Sequence, residues 1–198
     1  MAQRDEHGQV LVAKVVLVGV PDSGKSAILR QMAERYAHAS LRADEVAGAD
    51  VFRTEFFWPD AFSDGRRLRV RLFAVSGHPA YNAVDELLLE GCDGVVFVTK
   101  VEGEQAAAGR DSLRTLVFNA GRNGFELDSR PVVLQYSGVD KVPGFRPEQM
   151  DEWLGVPPGS VARFASGSQP GEDLCQGVEW VVEWVQRELA RDEEPVAS

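Results

Sequence analysis

The stretch GVPDSGKSAILR, residues 19–30, decides the fold of this chain. Its first eight residues fit the pattern G-x-x-x-x-G-K-[ST], in which glycines let the backbone curl so that successive N–H groups point at an anion. An apolar run at 10–19 predicts a buried strand before the loop, and apolar residues at helical spacing over 26–36 predict a helix after it. A helix N-terminus also attracts negative charge. The stretch therefore predicts a phosphate-binding loop between a strand and a helix.

Two side chains of this loop carry the predicted chemistry. Lys25 is expected to reach the β- and γ-phosphates of a nucleotide, and the Ser26 hydroxyl is expected to ligate Mg²⁺. The residues expected to contact the nucleotide here are Gly19, Asp22, Ser23, Gly24, Lys25, Ser26 and Ala27. The alternative is a chance match in a glycine-rich turn, and the strand and helix predicted on either side argue against it.

The remainder of the chain alternates apolar and amphipathic blocks. Two adjacent strands are predicted at 51–59 and 66–75, joined by a turn at Ser-Asp-Gly, 63–65. Further strands are predicted at 93–100, 130–138 and 160–166, further helices at 83–91, 105–121 and 173–190, and a loop without clear period at 37–50. This alternation indicates βαβ units with helices on both faces of a sheet. We therefore expect a three-layer α/β fold with a mostly parallel six-stranded sheet and one antiparallel edge strand.

Length and charge restrict the possible functions. The 198 residues suit one domain, expected at 1–190, with a disordered tail at 191–198. A net charge of −10 argues against general nucleic-acid binding and against electrostatic docking on anionic lipid. No apolar run approaches the ~20 residues of a membrane helix, so direct membrane insertion is not expected. Two distant cysteines outside any C-x-x-C pair fit a reducing cytoplasm.

Three further segments narrow the class of phosphate-binding protein. They are the Arg-Thr pair at 53–54, SGHPAYN at 76–82 and GCDGVVFV at 91–98. With the loop at 19–26, this set resembles the bacterial MglA (mutual gliding protein) family of Ras-like small GTPases over roughly residues 12–190. The resemblance implies a P-loop NTPase fold of the small-GTPase type, GTP or GDP binding with Mg²⁺, and a roadblock-fold (MglB-like) regulatory partner. It also implies a cytoplasmic regulator of cell polarity or motility, which we expect to be monomeric alone.

The resemblance assigns roles to residues beyond the loop. Thr54 matches the switch threonine that meets Mg²⁺ and the γ-phosphate, and Gly77 matches the glycine whose N–H contacts the γ-phosphate. Arg53 matches an intrinsic arginine finger, which with Lys25 would be catalytic by stabilising charge on the transferred phosphoryl group. For Arg53 the alternative is a surface arginine on an edge strand. For Thr54 it is an ordinary residue of high β-propensity.

The chain departs from the family pattern at two switch positions. Ala74 stands where Ras-like proteins have the aspartate that holds Mg²⁺ through water, so the ion would keep more of its waters. His78 stands in place of the glutamine that orients the attacking water. An imidazole can hold a water by hydrogen bond, which would make His78 catalytic. The alternative is that His78 is only a tolerated residue and that hydrolysis is very slow.

The motif that reads the base is also altered. Ser137-Gly138-Val139-Asp140 stands where the family has N-K-x-D, so the aspartate that accepts hydrogen bonds from guanine survives as Asp140. The motif lysine is missing, and Lys141 follows one position too late. The last base-contacting segment corresponds best to Phe164-Ala165-Ser166, where the Ala165 N–H would meet the guanine O6. The alternative for Asp140 is that it only begins a turn.

Aromatic residues on the predicted edge strand suggest a partner surface. Phe56, Phe57 and Trp58 are consecutive, so they cannot all face one core. Some are expected to be exposed and to contribute to the surface that, in the family, contacts the roadblock-fold protein. The alternative is ordinary burial at the edge. Packing in the core is expected for the tryptophans on predicted helices, Trp153, Trp180 and Trp184.

Two functions of different classes stay open. The leading hypothesis is a GTP-hydrolysing molecular switch, in which Mg²⁺–GTP orders the loops at 38–58 and 76–84. The alternative is a pseudo-GTPase or slow-hydrolysing nucleotide-bound scaffold that acts by protein binding, which Ala74, His78 and the altered base motif favour. An ATP-using P-loop enzyme is disfavoured because no acidic residue ends the strand at 93–100.

Overall fold

Strands and helices alternate along the chain. The computed structural model describes residues 3–4, 9–36, 39–46, 48–75, 82–122, 130–169 and 171–191. The strands are Gln3–Arg4 (β1), Val10–Gly19 (β2), Arg42–Val46 (β3), Ala49–Phe57 (β4), Arg67–Val75 (β5), Gly94–Lys100 (β6), Val132–Ser137 (β7) and Ala162–Ser166 (β8). The helices are Lys25–Arg35 (α1), Asn82–Leu89 (α2), Gly103–Arg122 (α3), Pro147–Leu154 (α4) and Gln176–Arg191 (α5), with a 3₁₀ turn at Val139–Lys141.

These strands form one sheet in the order β3-β4-β5-β2-β6-β7-β8, and β1 pairs with β2. Strand β2 is parallel to both β5 and β6, and the pairing continues in parallel through β7 to β8. Strands β1, β3 and β4 pair antiparallel with their neighbours. The predicted α/β class, with a mostly parallel sheet and an antiparallel edge, is therefore confirmed.

The predicted count of six strands is too low, because the described residues alone form a sheet of eight strands. Residues 42–46, inside the predicted loop at 37–50, form the edge strand β3. Four of its five side chains are exposed, so its sequence lacks the apolar alternation that identifies a strand. Backbone pairing with β4, from Arg42 opposite Arg53 to Val46 opposite Ala49, holds it in the sheet.

Helices cover both faces of the sheet. The first face packs against α1 and α5, whose buried residues include Leu29, Met32, Val178 and Val182. The second face packs against α2, α3 and α4, with Leu89, Leu116, Met150 and Leu154 in the core. This three-layer arrangement leaves the ends of β2, β5, β6 and β7 to converge at one edge of the sheet, where ligands bind in open α/β sheets.

The tryptophans were predicted as core residues, and one prediction is wrong. Trp180 and Trp184 of α5 are partly buried against the core. Trp153 is 46% exposed, because α4 directs Met150 and Leu154 inward and its indole lies on the solvent side. The apolar residues of α5 thus follow the helical spacing that the sequence predicts. Helix α4 has only eight residues, which is too few for that spacing to show which of its side chains face the core.

The three consecutive aromatics at the edge divide between the two faces of the sheet. Phe56 and Trp58 are buried, and Phe56 stacks on Tyr36 of α1 with ring centroids 4.5 Å apart. Phe57 points to the other face, where it is half-buried beneath Arg67. The period-two alternation of a strand accounts for this division.

The structure also describes the two cysteines and the helices that were considered as membrane spans. Cys92 and Cys175 are buried and free, as predicted for structural thiols. Among the described residues, no helix combines the length and apolar character needed to span a membrane. The boundaries of the single domain and of its tail stay a prediction, since α5 ends at Arg191 and residues 192–198 lie outside the described part.

Candidate nucleotide-binding site

The predicted phosphate-binding loop joins the end of β2 to the start of α1. It bounds a cavity of about 310 Å³, lined by residues 22–27 together with Phe52 and Val75. The backbone is left-handed at Asp22, with φ 55°, and at Gly24, with φ 106°. A Cβ at Gly19 would lie 1.9 Å from the carbonyl oxygen of Val98. Gly19 and Gly24 are therefore required for the loop to pass against β6 and to curl around the cavity.

Lys25 holds the loop from inside. Its side chain is 4% exposed, and its Nζ donates hydrogen bonds to the carbonyl oxygens of Gly19 (2.9 Å) and Val20 (2.6 Å) and to Ser23 Oγ (3.4 Å). Burial lowers the pKa of Lys25 to about 8, against the attraction of Asp85 and Asp22. All three acceptors are neutral oxygens, so the ammonium keeps an unpaired positive charge that an incoming phosphate would neutralise.

The first turn of α1 is open to an anion. Gly24 caps this helix without a side-chain hydrogen bond, and no acidic residue stands in the first turn. The first N–H groups of a helix have no intrahelical acceptor, and the helix dipole is positive at this end. Because Ser26 and Ala27 line the cavity, these N–H groups meet it together with the Ser26 hydroxyl. The local chemistry therefore fits a phosphate group.

The residues around the cavity also fit Mg²⁺. The lining offers the Ser26 hydroxyl and the exposed Asp22 carboxylate as oxygen donors. Ala74 is 1% exposed in the core and supplies no carboxylate at the end of β5. The described residues hold no group of three or more histidines, cysteines or acids that would form a protein-built metal cage. Mg²⁺ keeps several waters and binds through substrate phosphates, so a hydroxyl at this position suits it.

Arg53 and Thr54 lie away from the cavity in this structure. The β4 residue that lines it is Phe52. Arg53 points to the opposite face of the sheet, where its Nε lies 2.6 Å from Asp44 Oδ2. Thr54 is 1% exposed, and its Oγ1 is buried without a hydrogen-bond partner among the described residues. Residue 54 pairs with Leu72, three positions from the Val51–Val75 pair that borders the cavity.

Arg53 and Thr54 do not line the cavity in this structure, and their catalytic and metal-binding roles stay predictions. Thr54 stands two positions beyond Phe52 on the same face of β4, which corresponds to roughly 7 Å along the strand. To line the cavity where Phe52 now stands, Thr54 would have to move along β5 by about that distance.

Ser137 links the end of β7 to the loop. Its hydroxyl donates to the carbonyl oxygen of Ser23 at 2.7 Å and lies 3.3 Å from the carbonyl oxygen of Thr99. Ser23 is itself 1% exposed, so this bond satisfies a buried loop carbonyl. Sequence comparison identified residue 137 only as a lost asparagine. The structure shows that its short side chain bridges two elements of the site.

Asp140 lies in the 3₁₀ turn after β7 and faces a segment that was not predicted. Its carboxylate accepts hydrogen bonds from the Ser168 N–H (2.7 Å), the Ser168 hydroxyl (3.0 Å) and Gln169 Nε2 (3.3 Å). Desolvation raises the pKa of Asp140, but these hydrogen bonds more than offset it and hold the pKa below its usual value. The carboxylate is thus ionised and fixed in place, beyond what a turn alone needs.

The expected contact of the Ala165 N–H with the guanine O6 stays a prediction. Ala165 lies inside β8, paired with Tyr136, whereas the loop after β8 reaches Asp140 through Ser168. Phe164-Ala165-Ser166 is therefore strand, and residues 167–169 form the segment beside Asp140.

Lys141 occupies the space beside Gly138. Gly138 has φ 74°, and a Cβ built on it would lie 3.9 Å from Lys141 Cδ. Lys141 Nζ lies 3.9 Å from Glu102 Oε2, at the start of α3. The aliphatic part of Lys141 thus stands next to the position from which the missing motif lysine would project. The sequence places this lysine one residue later than the motif lysine, and the loop sets its aliphatic stem beside Gly138.

Gly77 and His78 lie outside the described residues, so their roles stay predictions.

Asp85 of α2 was not predicted as a site residue. It is 9% exposed, and burial raises its pKa to about 6 against the attraction of Lys25. An acidic residue within the apolar run AVDELLL was the only sequence signal for it.

Comparison with known proteins agrees with this site. No protein-family profile matches the chain. A curated relative, the mutual gliding-motility protein MglA of Myxococcus xanthus (strain DK1622), is 30% identical over 145 residues, which cover 71% of this chain and 74% of the relative. Such identity over most of both chains, together with the P-loop and the α/β sheet described above, supports common ancestry. This chain therefore belongs to the MglA-like family of small GTPases.

Proposed function

We propose that the chain is a guanine-nucleotide-dependent switch that binds GTP or GDP with Mg²⁺. The observation that carries the proposal is the joined site, in which Ser137 ties the phosphate loop at Ser23 to the segment that positions Asp140. A phosphate group and a base edge separated by a ribose need anchors at both of these places. Membership of a small-GTPase family supports the same conclusion.

Each described site residue has a role in binding. Lys25 and the first N–H groups of α1 would hold the phosphates, and the Ser26 hydroxyl would hold Mg²⁺, which neutralises phosphate charge. The Asp140 carboxylate would accept the N1–H and N2–H groups of guanine, while the Lys141 stem covers the base. Because adenine presents no such pair of donors at that edge, Asp140 would select guanine.

Hydrolysis is proposed as an in-line attack by water, with Lys25 and Arg53 stabilising the developing charge and His78 positioning the water. Thr54 and Gly77 would complete the contacts to Mg²⁺ and the γ-phosphate. In the present arrangement Arg53 pairs with Asp44, so hydrolysis requires that pair to break and β4 to shift. A regulatory protein that stabilises the shifted strand would then act as the activator.

A slow-hydrolysing nucleotide-bound scaffold is the second candidate. It is favoured by the position of Arg53 and Thr54 outside the cavity and by Ala74 at the end of β5. Both functions use partner binding, and they differ in whether an activator accelerates phosphate release. The name of the relative, mutual gliding-motility protein, supports a proposed role in motility or cell polarity. A roadblock-fold, MglB-like protein is the proposed activator of a chain that is monomeric alone.

The first test is a parallel titration of nucleotide-stripped protein with fluorescent GDP and ADP in the presence of Mg²⁺. We expect GDP to bind more tightly than ADP and the Asp140→Asn variant to lose at least roughly 30-fold in GDP affinity, since it leaves base donors unpaired. Asp60→Asn is the matched control, because Asp60 follows the far end of β4. Equal, weak binding of both nucleotides would contradict the proposal.

Single-turnover GTP hydrolysis with and without a purified roadblock-fold protein then separates the two candidates. Acceleration that is abolished by Arg53→Ala would support the switch. Tight GTP binding with no acceleration would support the scaffold.

A further inference from the structure

One face of the sheet carries a concentration of positive charge, of which the proposed nucleotide site uses only Arg53. Six cationic side chains come from four adjacent strands, namely Lys14 (β2), Arg42 (β3), Arg53 (β4) and Arg67, Arg69 and Arg71 (β5). We call this group the basic sheet face. The register places them on one side of the sheet, since Arg42 is opposite Arg53 and Lys14 is opposite Arg71.

No helix formed by the described residues covers this part of the sheet. On the same face, the core beneath α2 includes Val16 of β2 and Val51 and Val75 of the β4–β5 pair. The cationic residues lie beyond that core, toward the start of β2 and β5. The side chains of Arg53 and Arg71 are 38% and 40% exposed, and Arg42 and Arg67 are exposed. The basic sheet face is therefore accessible.

In the described part of the chain, the face carries too few carboxylates to pair with these cations. Asp44 contacts Arg53 at 2.6 Å, and Glu55 contacts Arg71 at 2.9 Å and Arg69 at 3.6 Å. Glu90 and Asp93 stand at the border beside Lys14, and Lys14 Nζ donates to the Glu90 carbonyl oxygen rather than to its carboxylate. Among the described residues, six cations thus face two carboxylates, in a chain whose net charge is −10.

Hydrogen-bond donors are also in excess. Each guanidinium carries five N–H groups in a planar fork that matches carboxylates. Within the described part of the chain, Arg42 and Arg67 have no carboxylate within 4.0 Å, and the buried Nε of Arg69 has no hydrogen-bond partner. Phe57 lies under Arg67 and Arg69, with distances of 4.1 and 5.1 Å from its ring centroid to the two Cζ atoms. The face therefore combines unsatisfied cations with an aromatic floor.

We propose that the basic sheet face docks an acidic, extended segment of a partner protein. Arg67, Arg69 and Arg71 alternate along β5, so their side chains repeat every ~6.8 Å. Carboxylates at alternate positions of an extended segment have the same repeat and would meet them in register. An apolar residue that takes the place of a carboxylate at one of these facing positions would pack on Phe57 or Phe73, which are half-buried on this face.

A protein segment suits the face better than a polyanionic surface does. Glu55 stands at its centre, and the acidic chain as a whole repels a membrane or nucleic acid that approaches over a large area. A short segment can place its carboxylates against the arginines and avoid Glu55. This inference does not depend on the proposed nucleotide switch, since Arg67, Arg69 and Arg71, which carry it, have no proposed role in binding or hydrolysing nucleotide.

The test uses a fluorescein-labelled peptide of alternating glutamate and valine, nine residues long, and the same peptide with glutamine for glutamate. The protein is the full chain with Arg67→Gln, Arg69→Gln and Arg71→Gln combined, and Arg53 is left unchanged because it is a predicted catalytic residue. The matched control removes three arginines from helices, Arg110→Gln, Arg114→Gln and Arg187→Gln. At low salt we expect the β5 variant to lose roughly tenfold or more in affinity for the acidic peptide, and the control less than about twofold.

A second variant is expected to bind the peptide more tightly, a result that misfolding would not produce. Glu55→Gln removes the carboxylate that occupies Arg69 and Arg71, so this variant should bind the acidic peptide roughly two- to fivefold more tightly. The glutamine peptide should not bind. Equal losses in the β5 variant and the helix control, or no binding by wild-type protein, would overturn the proposal. Recruitment to phosphatidylserine vesicles without peptide binding would overturn it too.

Discussion

Replacing Ser137 with alanine removes one oxygen atom that joins two parts of the nucleotide site. The hydroxyl donates at 2.7 Å to the carbonyl of Ser23, a residue that is 1% exposed. A typical hydrogen bond contributes about 1 kcal/mol net, and a buried carbonyl left without a donor costs roughly 1–3 kcal/mol. We therefore expect Ser137→Ala to lower the free energy of unfolding by about 1.5 kcal/mol. The weaker contact with Thr99 at 3.3 Å adds little.

The same bond orders the loop that holds phosphate. If the whole energy of this hydrogen bond stabilises the nucleotide-bound state, its loss in Ser137→Ala would make nucleotide dissociate roughly tenfold faster. The reason is that 1.4 kcal/mol corresponds to a factor of ten. Stopped-flow release of fluorescent GDP measures that rate, and urea unfolding of the nucleotide-free protein measures the stability. Ser160→Ala is the matched control, since its exposed hydroxyl donates only to the nearby Pro157 carbonyl, and it should change stability by less than about 0.5 kcal/mol.

The two readouts separate structural from functional consequences. A loss of stability with unchanged release would confine the role of Ser137 to folding. If the Ser137→Ala variant has the wild-type urea midpoint and the wild-type rate of GDP release, the reasoning is refuted. The hydrogen bond would then stabilise neither the folded protein nor its nucleotide complex.

Two further predictions concern neighbouring residues. Lys141→Ala should weaken GDP binding roughly tenfold by removing the aliphatic stem beside Gly138, whereas Lys141→Met should keep most of the affinity, as measured by titration with fluorescent GDP. If both variants lose equally, the charge and not the stem is responsible. Burial raises the pKa of Asp85 from 3.8 to about 6, so the folded state binds the extra proton and loses stability as the pH rises from about 4 to 6. Asp85→Asn should therefore stabilise the protein by about 1–2 kcal/mol at pH 7, with the gain shrinking toward pH 4 in thermal or urea unfolding. An unchanged or larger gain at pH 4 would contradict this assignment.

Much of the candidate site follows from local patterns. The loop at 19–26 folds as predicted because its glycines, its preceding strand and its following helix each depend on residues close in sequence. The base-reading role of Asp140 stays a prediction. Its partner Ser168 was not found from the sequence, because the two are 28 positions apart and meet through the pairing of β7 with β8.

The register of the β4–β5 pair decides where Arg53 and Thr54 stand. The sequence motif assigns Arg53 and Thr54 to a switch segment. Only the pairing of residue 54 with Leu72 shows that these two residues do not line the cavity in this arrangement. A shift along the strand changes which side chains meet the loop without changing the apolar pattern that identifies the strand. Local pattern therefore cannot report this position.

The amino-acid sequence by itself determined the class of fold, the phosphate loop and the family to which this chain belongs, since these depend on periodicity and on residues near one another in the chain. Tertiary structure alone decided the edge strand β3, the tether at Ser137 and the basic sheet face drawn from four strands. The physical reason is that strand pairing joins distant residues through backbone hydrogen bonds, which are common to all residue types and leave little trace in the side-chain pattern.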